Sequence, residues 1–401
     1  MTRGKTLLYL CHRIPYPPNK GDKIRSFNEI RYLSENHTID LITLADEPED
    51  LKYKKELEQY CRQVKVFPLD KTRAKINGCI RLLRGQSISQ GYFYKTAFQK
   101  VYNEWIGTRR YDAVFCFSSP MAEYVFNGKP LARNSEPPER IMDFCDLDSD
   151  KWLQYAQKKK FPANRLYRTE SKRLLRFENK INQNFDRSIF VSKGEADLFK
   201  SYVPSARNLE IIPNGVDYEY FSPEKVTATR NFPSPMLMFA GAMDYYANVD
   251  GVVWFMTSIW PEIKKQIPDI RFYIAGGNPA PRVRELAKDP SVIVTGFVDD
   301  IREYYKAADV CVIPLRIARG VQNKVLEAMS MAKSTVATPP AVQGISIQDK
   351  SSLTIENDPH RFAEQVMNLL QDETLGKTKG KAARESIIKH LNWRRIMEPL
   401  L

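Results

Sequence analysis

The spacing of apolar positions along the chain alternates between two periods. Short apolar runs at Thr6–Leu10, Ile39–Leu44, Val64–Pro68, Asp112–Phe117, Ile141–Phe144 and Ser188–Ser192 predict buried strands. Between them lie segments of helical spacing. Ile24–Ser34 puts Ile24, Phe27, Ile30 and Leu33 on one face, and Trp152–Asn184 is a long basic helix interrupted near Pro162. Lys193–Tyr202 predicts a further helix, and Leu209–Pro213 with the turn Asn214-Gly215 closes this half. Val216–Pro235 has little periodic pattern and reads as a linker. The alternation then restarts. Strands are predicted at Met236–Ala240, Ile270–Ala275, Val292–Thr295, Val310–Pro314, Ser334–Ala337 and Leu353–Ile355. Helices are predicted at Val249–Lys265, Ile301–Ala308, Val321–Met331 and over about 359–371 and 376–390. Strands joined by helical crossovers make doubly wound parallel sheets, which bind ligands at the carboxyl ends of their strands. The expected fold class is therefore α/β, with domains over 1–213 and 236–384 joined by a linker at 214–235.

Composition agrees with two domains. The 401 residues are 43% hydrophobic and 27% charged, enough for full cores and inconsistent with disorder, collagen or coiled coil. No apolar run approaches the ~18–20 residues of a membrane span. The N-terminal apolar stretch Thr6–Cys11 is too short for a signal peptide, so a cytoplasmic location is expected. The cysteines at 11, 61, 79, 116, 145 and 311 contain no CxxC pair, so reduced thiols are expected and no metal site.

Charge is uneven. The net +13 divides into 38 Lys/Arg against 26 Asp/Glu over residues 1–213 and 23 against 22 over the rest. Residues 71–110 hold nine basic residues and one acid; residues 151–180 hold ten and two. Either stretch is compatible with a solvated face, or with a surface for an anionic partner. In the first, Ile76, Ile80, Leu82, Leu83, Tyr92, Phe93, Tyr94 and Phe98 are interleaved with the cations, a mixture suited to an interfacial membrane helix. No RNP-type, KH-type or zinc-knuckle motif supports nucleic acid as the partner.

The chemistry-bearing loops lie in the second half. Gly241, Gly276, Gly277 and Gly296 end successive strands, where glycine lets backbone N–H groups approach a ligand. One such glycine is ordinarily a turn; three strand ends together point to a nucleotide pocket. Neither GxGxxG nor GxxxxGK[ST] is present. In Ile317-Ala-Arg-Gly-Val-Gln-Asn-Lys-Val-Leu-Glu-Ala-Met329, Arg319 and Lys324 flank the first turn of a predicted helix whose unpaired amides favour anions. A diphosphate docks there without a metal. Glu327, about two turns beyond Gly320, is placed to accept hydrogen bonds from ribose hydroxyls. The plainer alternative is a surface helix with solvated Glu and Lys.

The second half resembles the donor-binding half of GT-B glycosyltransferases of the family-4 type. The resemblance runs through Ile212-Pro-Asn-Gly-Val-Asp217, Phe239-Ala-Gly-Ala-Met-Asp244, Asn248, Val294-Thr-Gly-Phe-Val298, Ala308-Asp309 and Gly320…Glu327-Ala-Met329. The first half matches more loosely. Its Arg13-Ile-Pro-Tyr-Pro-Pro-Asn-Lys-Gly-Asp22 and Asp143-Phe-Cys-Asp-Leu-Asp-Ser-Asp-Lys-Trp152 segments resemble exosortase/PEP-CTERM-associated exopolysaccharide sugar transferases.

The resemblance implies two facing Rossmann-like domains, with a C-terminal helix, about 385–401 and including Trp393, packing back on the first. It implies that Glu327 binds ribose, that Phe297 and Val298 clamp the base, and that Gly21 faces the diphosphate. Gly241, Asn248, Gly276, Gly296, Gly320 and Val321 complete the donor side. The family's first glutamate falls on Arg319, and its basic residue after the strand-end glycine falls on Met243 or Asp244. Phosphate duty is then expected of Arg319 and Lys324.

A retaining transfer needs positive charge at the leaving diphosphate. An inverting one needs a base, for which His12, Asp22, Asp143 and Asp146 are candidates, with Arg13 and Arg25 further acceptor-side residues. A lone His is more often structural, and the acidic cluster 143–150 is equally suited to helix capping. The expected activity moves a sugar from a nucleotide-diphospho-sugar to a lipid-linked saccharide at an anionic, cytoplasmic membrane face, with no cofactor. A GT-B-fold nucleotide-sugar epimerase and a non-catalytic nucleotide-sugar-binding protein are the competing readings.

Overall fold

The computed structural model describes residues 4–129, 136–227, 231–318, 320–345 and 350–400. The chain divides into two compact units, Met1–Ile212 with Pro399–Leu401, and Pro213–Glu398.

The first unit is built on β1 (Thr6–Cys11), β2 (Thr38–Ala45), β3 (Gln63–Pro68), β4 (Ala113–Phe117), β5 (Glu139–Cys145), β6 (Arg187–Phe190) and β7 (Leu209–Ile211). They form one sheet in the order β3-β2-β1-β4-β5-β6-β7, and every pairing is parallel. The near-continuous apolar runs follow from burial of both sheet faces under helices. Leu8, Leu10, Ile42, Val114 and Phe190 are fully or almost fully buried in its core. The predicted 152–184 helix is two, Asp148–Lys158 and Ala163–Asn184, broken where Pro162 lacks the amide needed to continue.

The second unit repeats the plan with β8 (Met236–Ala240), β9 (Arg271–Ala275), β10 (Val292–Gly296), β11 (Val310–Ile313), β12 (Ser334–Ala337) and β13 (Thr354–Ile355). Their order is β10-β9-β8-β11-β12-β13, again parallel throughout. In both sheets the strand order reverses beside the first strand, between β1 and β4 and between β8 and β11. The carboxyl ends of those strands are where open α/β sheets take ligands.

Three expectations change. The predicted 249–265 helix is two, Tyr246–Ser258 and Trp260–Gln266, because Pro261 starts a new helix after the non-helical Ile259. Residues 214–235 are not a free linker over their described part. Val216 and Phe221 pack into the second unit's main core, Val226 into its smaller cluster, and Arg384 donates to Phe221 O at 3.1 Å and Ser222 Oγ at 3.0 Å. The C-terminal helix Trp393–Met397 groups with the second unit, and the chain rejoins the first only from Pro399, where Arg187 Nη2 donates to its carbonyl at 3.0 Å.

Candidate functional site

In the second unit the strand-end glycines are set by contact. A Cβ on Gly276 would lie 1.8 Å from the carbonyl oxygen of Gly241, so the ends of β8 and β9 meet backbone to backbone. Gly276 N–H donates to Gly296 O at 3.1 Å and Gly241 N–H to Ala275 O at 3.0 Å. Met243, one of the two positions where a basic residue was expected, is fully buried; its N–H donates to Gly277 O at 2.9 Å.

Lys324 comes to Gly241 from another element. The helix of Gly320…Glu327 runs Asn323–Ser330, starting two residues later than the spacing predicts. Gly320 and Val321 precede it, Gly320 in a left-handed turn (φ 59°) and Val321 packed on the core. The N-cap Gln322 places no side chain on the first amides, which are the groups that attract anions. Lys324 Nζ reaches Asn248 Oδ1 at 2.6 Å and stands 5.2 Å from the Phe239 ring centre, while Asn248 Nδ2 donates to Ala242 O at 2.9 Å. A Cβ on Gly241 would sit 2.7 Å from Asn248 Nδ2 and 3.3 Å from Lys324 Cε, so these three residues share one small space. Burial lowers the Lys324 ammonium to about 8, against the opposing pull of Glu327.

Glu327 Oε2 accepts from Tyr305 OH at 3.0 Å. Burial pushes its carboxyl above the ordinary range, partly offset by Tyr305 and Lys324. Phe297 follows β10 with 81% of its surface exposed, a ring open to stacking, and Val298 packs partly buried against the Tyr304–Tyr305 cluster. Gly241, Asn248, Gly276, Gly296, Lys324 and Glu327 therefore cluster by direct contacts or shared partners, and Arg319 lies outside the described residues. Tyr305 and Phe239 were not legible as site residues, because their roles arise from tertiary contact alone.

In the first unit the candidates separate into two groups. His12 follows β1, stacks on Phe117 at 5.9 Å and meets Phe93 edge-on at 5.3 Å, directly over the β1/β4 reversal. Its Nε2 lies 3.4 Å from Asp22 Oδ2, and Asp22 also pairs with Arg13, which reaches Asp46 at 3.0 Å. Burial alone would raise the Asp22 carboxyl, but the hydrogen bond and charge of His12 and the charge of Arg13 hold it well below the usual range. Gly21 opens the helix Gly21–Leu33, and a methyl placed on it would meet nothing within 4 Å. Asp146 is exposed at the end of β5. Its crowded surroundings push the carboxyl up to about 6, aided by the charges of Glu195 and Asp148.

Asp143 and Arg25 form the other group, and they correct the expectation of acceptor-side chemistry. Both are buried to 1% or less. Arg25 Nε and Nη2 hold Asp143 Oδ2 at 2.8 and 2.6 Å, and Cys145 N–H occupies Oδ1 at 2.7 Å. Arg25 also donates to Ile212 O at 2.8 Å and lies 3.0 Å from Glu29, whose other oxygen accepts from Tyr9 OH at 2.5 Å. Burial and then Asp143 hold Glu29 well above the usual carboxylate range. This is a fastening of β1, β5 and the first helix, with no oxygen of Asp143 left for a substrate. Glu29 was missed, although its i+4 spacing from Arg25 on a predicted helix was readable. Among the described residues no group of three His, Cys, Asp or Glu side chains is placed to hold a metal ion, and no helix is long and apolar enough to cross a membrane.

Two parallel-sheet Rossmann-like domains define the GT-B class of fold, and the comparisons with known proteins agree. Residues 234–372, within the second unit, match the family described as glycosyl transferases group 1. Over 367 residues, 88% of both chains, the protein is 23% identical to an uncharacterized 44.6 kDa protein in the cps region of Klebsiella pneumoniae. Sucrose-phosphate synthase from Thermosynechococcus elongatus superposes with a TM-score of 0.68 at 17% identity, covering 99% of this chain and 97% of that one. HepE from Anabaena, solved in complex with UDP and glucose, superposes at 0.65 and 14% identity, covering 99% and 98%.

Proposed function

We propose that the protein is a glycosyltransferase that moves a sugar from a nucleotide-diphospho-sugar to a lipid-linked saccharide, in exopolysaccharide or cell-surface glycan synthesis at the inner face of a bacterial membrane. The observation that carries this reading is the meeting of Gly241, Asn248, Lys324 and Glu327 at the β8/β11 reversal of a group 1 domain. Lys324 and the open amides of the helix Asn323–Ser330 meet the charge that develops on the leaving diphosphate as the glycosidic bond breaks. Glu327 accepts from the ribose, and Phe297 offers its face to the base. In this reading the transfer is retaining and independent of a metal, and Arg319 assists at the phosphate. The cps-region relative and the UDP-bound neighbour support the glycan context and the donor class.

The test is a thermal-shift screen of nucleoside diphosphates and nucleotide-sugars, since whatever binds the native state raises its melting temperature. A shift with one base, lost in Glu327→Ala, followed by transfer to a lipid-linked saccharide in EDTA, is the expected result. Conversion of donor in the absence of acceptor would indicate an epimerase instead. Flotation with anionic vesicles at low salt checks the membrane location, which equal recovery with neutral vesicles would overturn.

A further inference from the structure

The first unit contains a cavity of about 560 Å³ that none of the chemistry above uses. One wall is the helix Lys71–Leu83, the other is Gly91–Ala97, and the end of β3 closes one side at Pro68 and Leu69. The walls are tightly joined: a Cβ on Gly91 would lie 2.5 Å from Asn77 O and 2.7 Å from Arg81 Cγ. Arg73, Arg81, Arg84 and Lys95 line it against the single carboxylate of Asp70, already accepting from Thr72 and Arg73 N–H at 2.9 and 3.1 Å as a helix cap. The Arg73 guanidinium, 3.4 Å from the same carboxylate, is largely exposed. Arg81 is fixed on Glu123 at 3.0 Å, and Lys95 Nζ donates to Pro68 O at 2.6 Å with its other two N–H bonds uncommitted among the described residues. Arg84 is exposed, with no carboxylate paired to it among the described residues. Next to this cationic face runs an apolar one. Ile76, Ile80 and Leu83, spaced four and three apart on the same helix, are 54%, 41% and 88% exposed.

We infer that this cavity holds the diphosphate of a lipid carrier, with Arg73, Arg84 and Lys95 on the phosphates and the apolar chain laid along Ile76, Ile80 and Leu83. The inference rests on the glycosyltransferase reading and names where its acceptor is gripped. The charge balance selects an anion, and the adjoining apolar row selects one attached to a hydrocarbon chain. A lipid carrier fits better than bulk phospholipid because of position. Tyr92 and Tyr94 line the cavity while Phe93, between them, packs on His12 over the β1/β4 reversal. A diphosphate held there keeps the attached saccharide beside the strand ends where the sheet takes its ligands.

Calorimetric titration of the full chain with farnesyl diphosphate, farnesol and inorganic pyrophosphate tests this. It is done on Lys324→Ala, so that a diphosphate reports only weakly from the second unit. Farnesyl diphosphate should bind at least about tenfold more tightly than either fragment, and Arg73→Gln with Arg84→Gln should weaken it by about tenfold or more while both exposed positions leave the melting temperature unchanged. Equal binding of pyrophosphate, or indifference to the double substitution, overturns the assignment. So does a double variant that loses flotation on phosphatidylglycerol vesicles but keeps farnesyl diphosphate, because bulk lipid is then the occupant. Nucleoside-diphosphate binding by the unsubstituted chain reports on the glycosyltransferase reading separately, and either result can fail without the other.

Discussion

Each unit places a cation among polar partners near the β-strand ends, and the two clusters differ in what they leave over. Arg25 in the first unit is fully enclosed and every strong partner is protein: Asp143, Glu29 and the carbonyl of Ile212. Lys324 in the second is only half-buried, with one amide oxygen at 2.6 Å, an aromatic face below it and the remaining N–H bonds uncommitted among the described residues. The first cluster is charge-compensated and therefore structural. The second holds a partly desolvated ammonium that feels Glu327 but is in ion-pair contact with no carboxylate among the described residues, an arrangement open to a phosphate. A buried charge signals function when its valences are unfilled, not when it is merely unusual.

The largest effect should come from breaking the filled cluster. Arg25→Ala leaves Asp143 and Glu29 enclosed without a cation, and removal of one partner from such a group costs about 3–5 kcal/mol. Denaturant unfolding should show that loss in the transition of the first unit. An unchanged midpoint would mean the network is not the fastening its geometry describes. The same substitution at Lys324 should behave oppositely. Lys324→Ala removes an ammonium held at a solvation cost, so stability should hold, while nucleoside-diphosphate affinity should fall by about 1.5–3 kcal/mol, the worth of a hydrogen bond to a charged group. Titration calorimetry against the melting curve separates the two quantities, and a variant that melts early but binds normally would reverse the contrast.

How far the two clusters were readable from sequence follows the same physics. The strands were legible because a parallel sheet covered on both faces needs uninterrupted apolar runs, and the inner strands of both units fall on such runs. The grouping around Lys324 was legible as well, because glycine at a strand end and a cation at a helix start follow from local backbone demands. Asp143 was not: a carboxylate at a strand end looks the same in sequence whether Arg25, 118 positions earlier, has claimed it or not. Tyr305 was equally hidden, since its hydroxyl meets Glu327 only through the packing of two helices. The helix 249–265 was joined in error because its apolar period continues across Pro261, although a proline there starts a new helix more readily than it continues an old one.

A smaller effect probes the backbone around the unfilled cluster. Gly276→Ala sets a methyl against the carbonyl of Gly241, a group that cannot rotate away. Overpacking of this kind costs about 1–3 kcal/mol. Because the displaced strand end carries the space shared by Asn248 and Lys324, nucleotide affinity should fall together with stability. Loss of stability alone would separate the glycine contact from the site.

The finest test uses the proton on Lys324. Its folded value of about 8 lies below the ordinary lysine range, so the folded protein releases this proton earlier than the unfolded chain does. The unfolded state binds more protons between about pH 8 and the usual lysine value near 10.4, and the contribution of this group to stability therefore rises with pH across that window. Binding runs the other way. A diphosphate favours the charged ammonium, so affinity should be flat from about pH 7, a unit above the second phosphate ionisation, to about pH 8, and should then decline by up to about tenfold per pH unit. Lys324→Arg keeps its charge through this range, so its affinity should stay level where the native curve falls. If both curves decline together above pH 8, the group being titrated is not Lys324, and the second cluster loses the feature that sets it apart from the first.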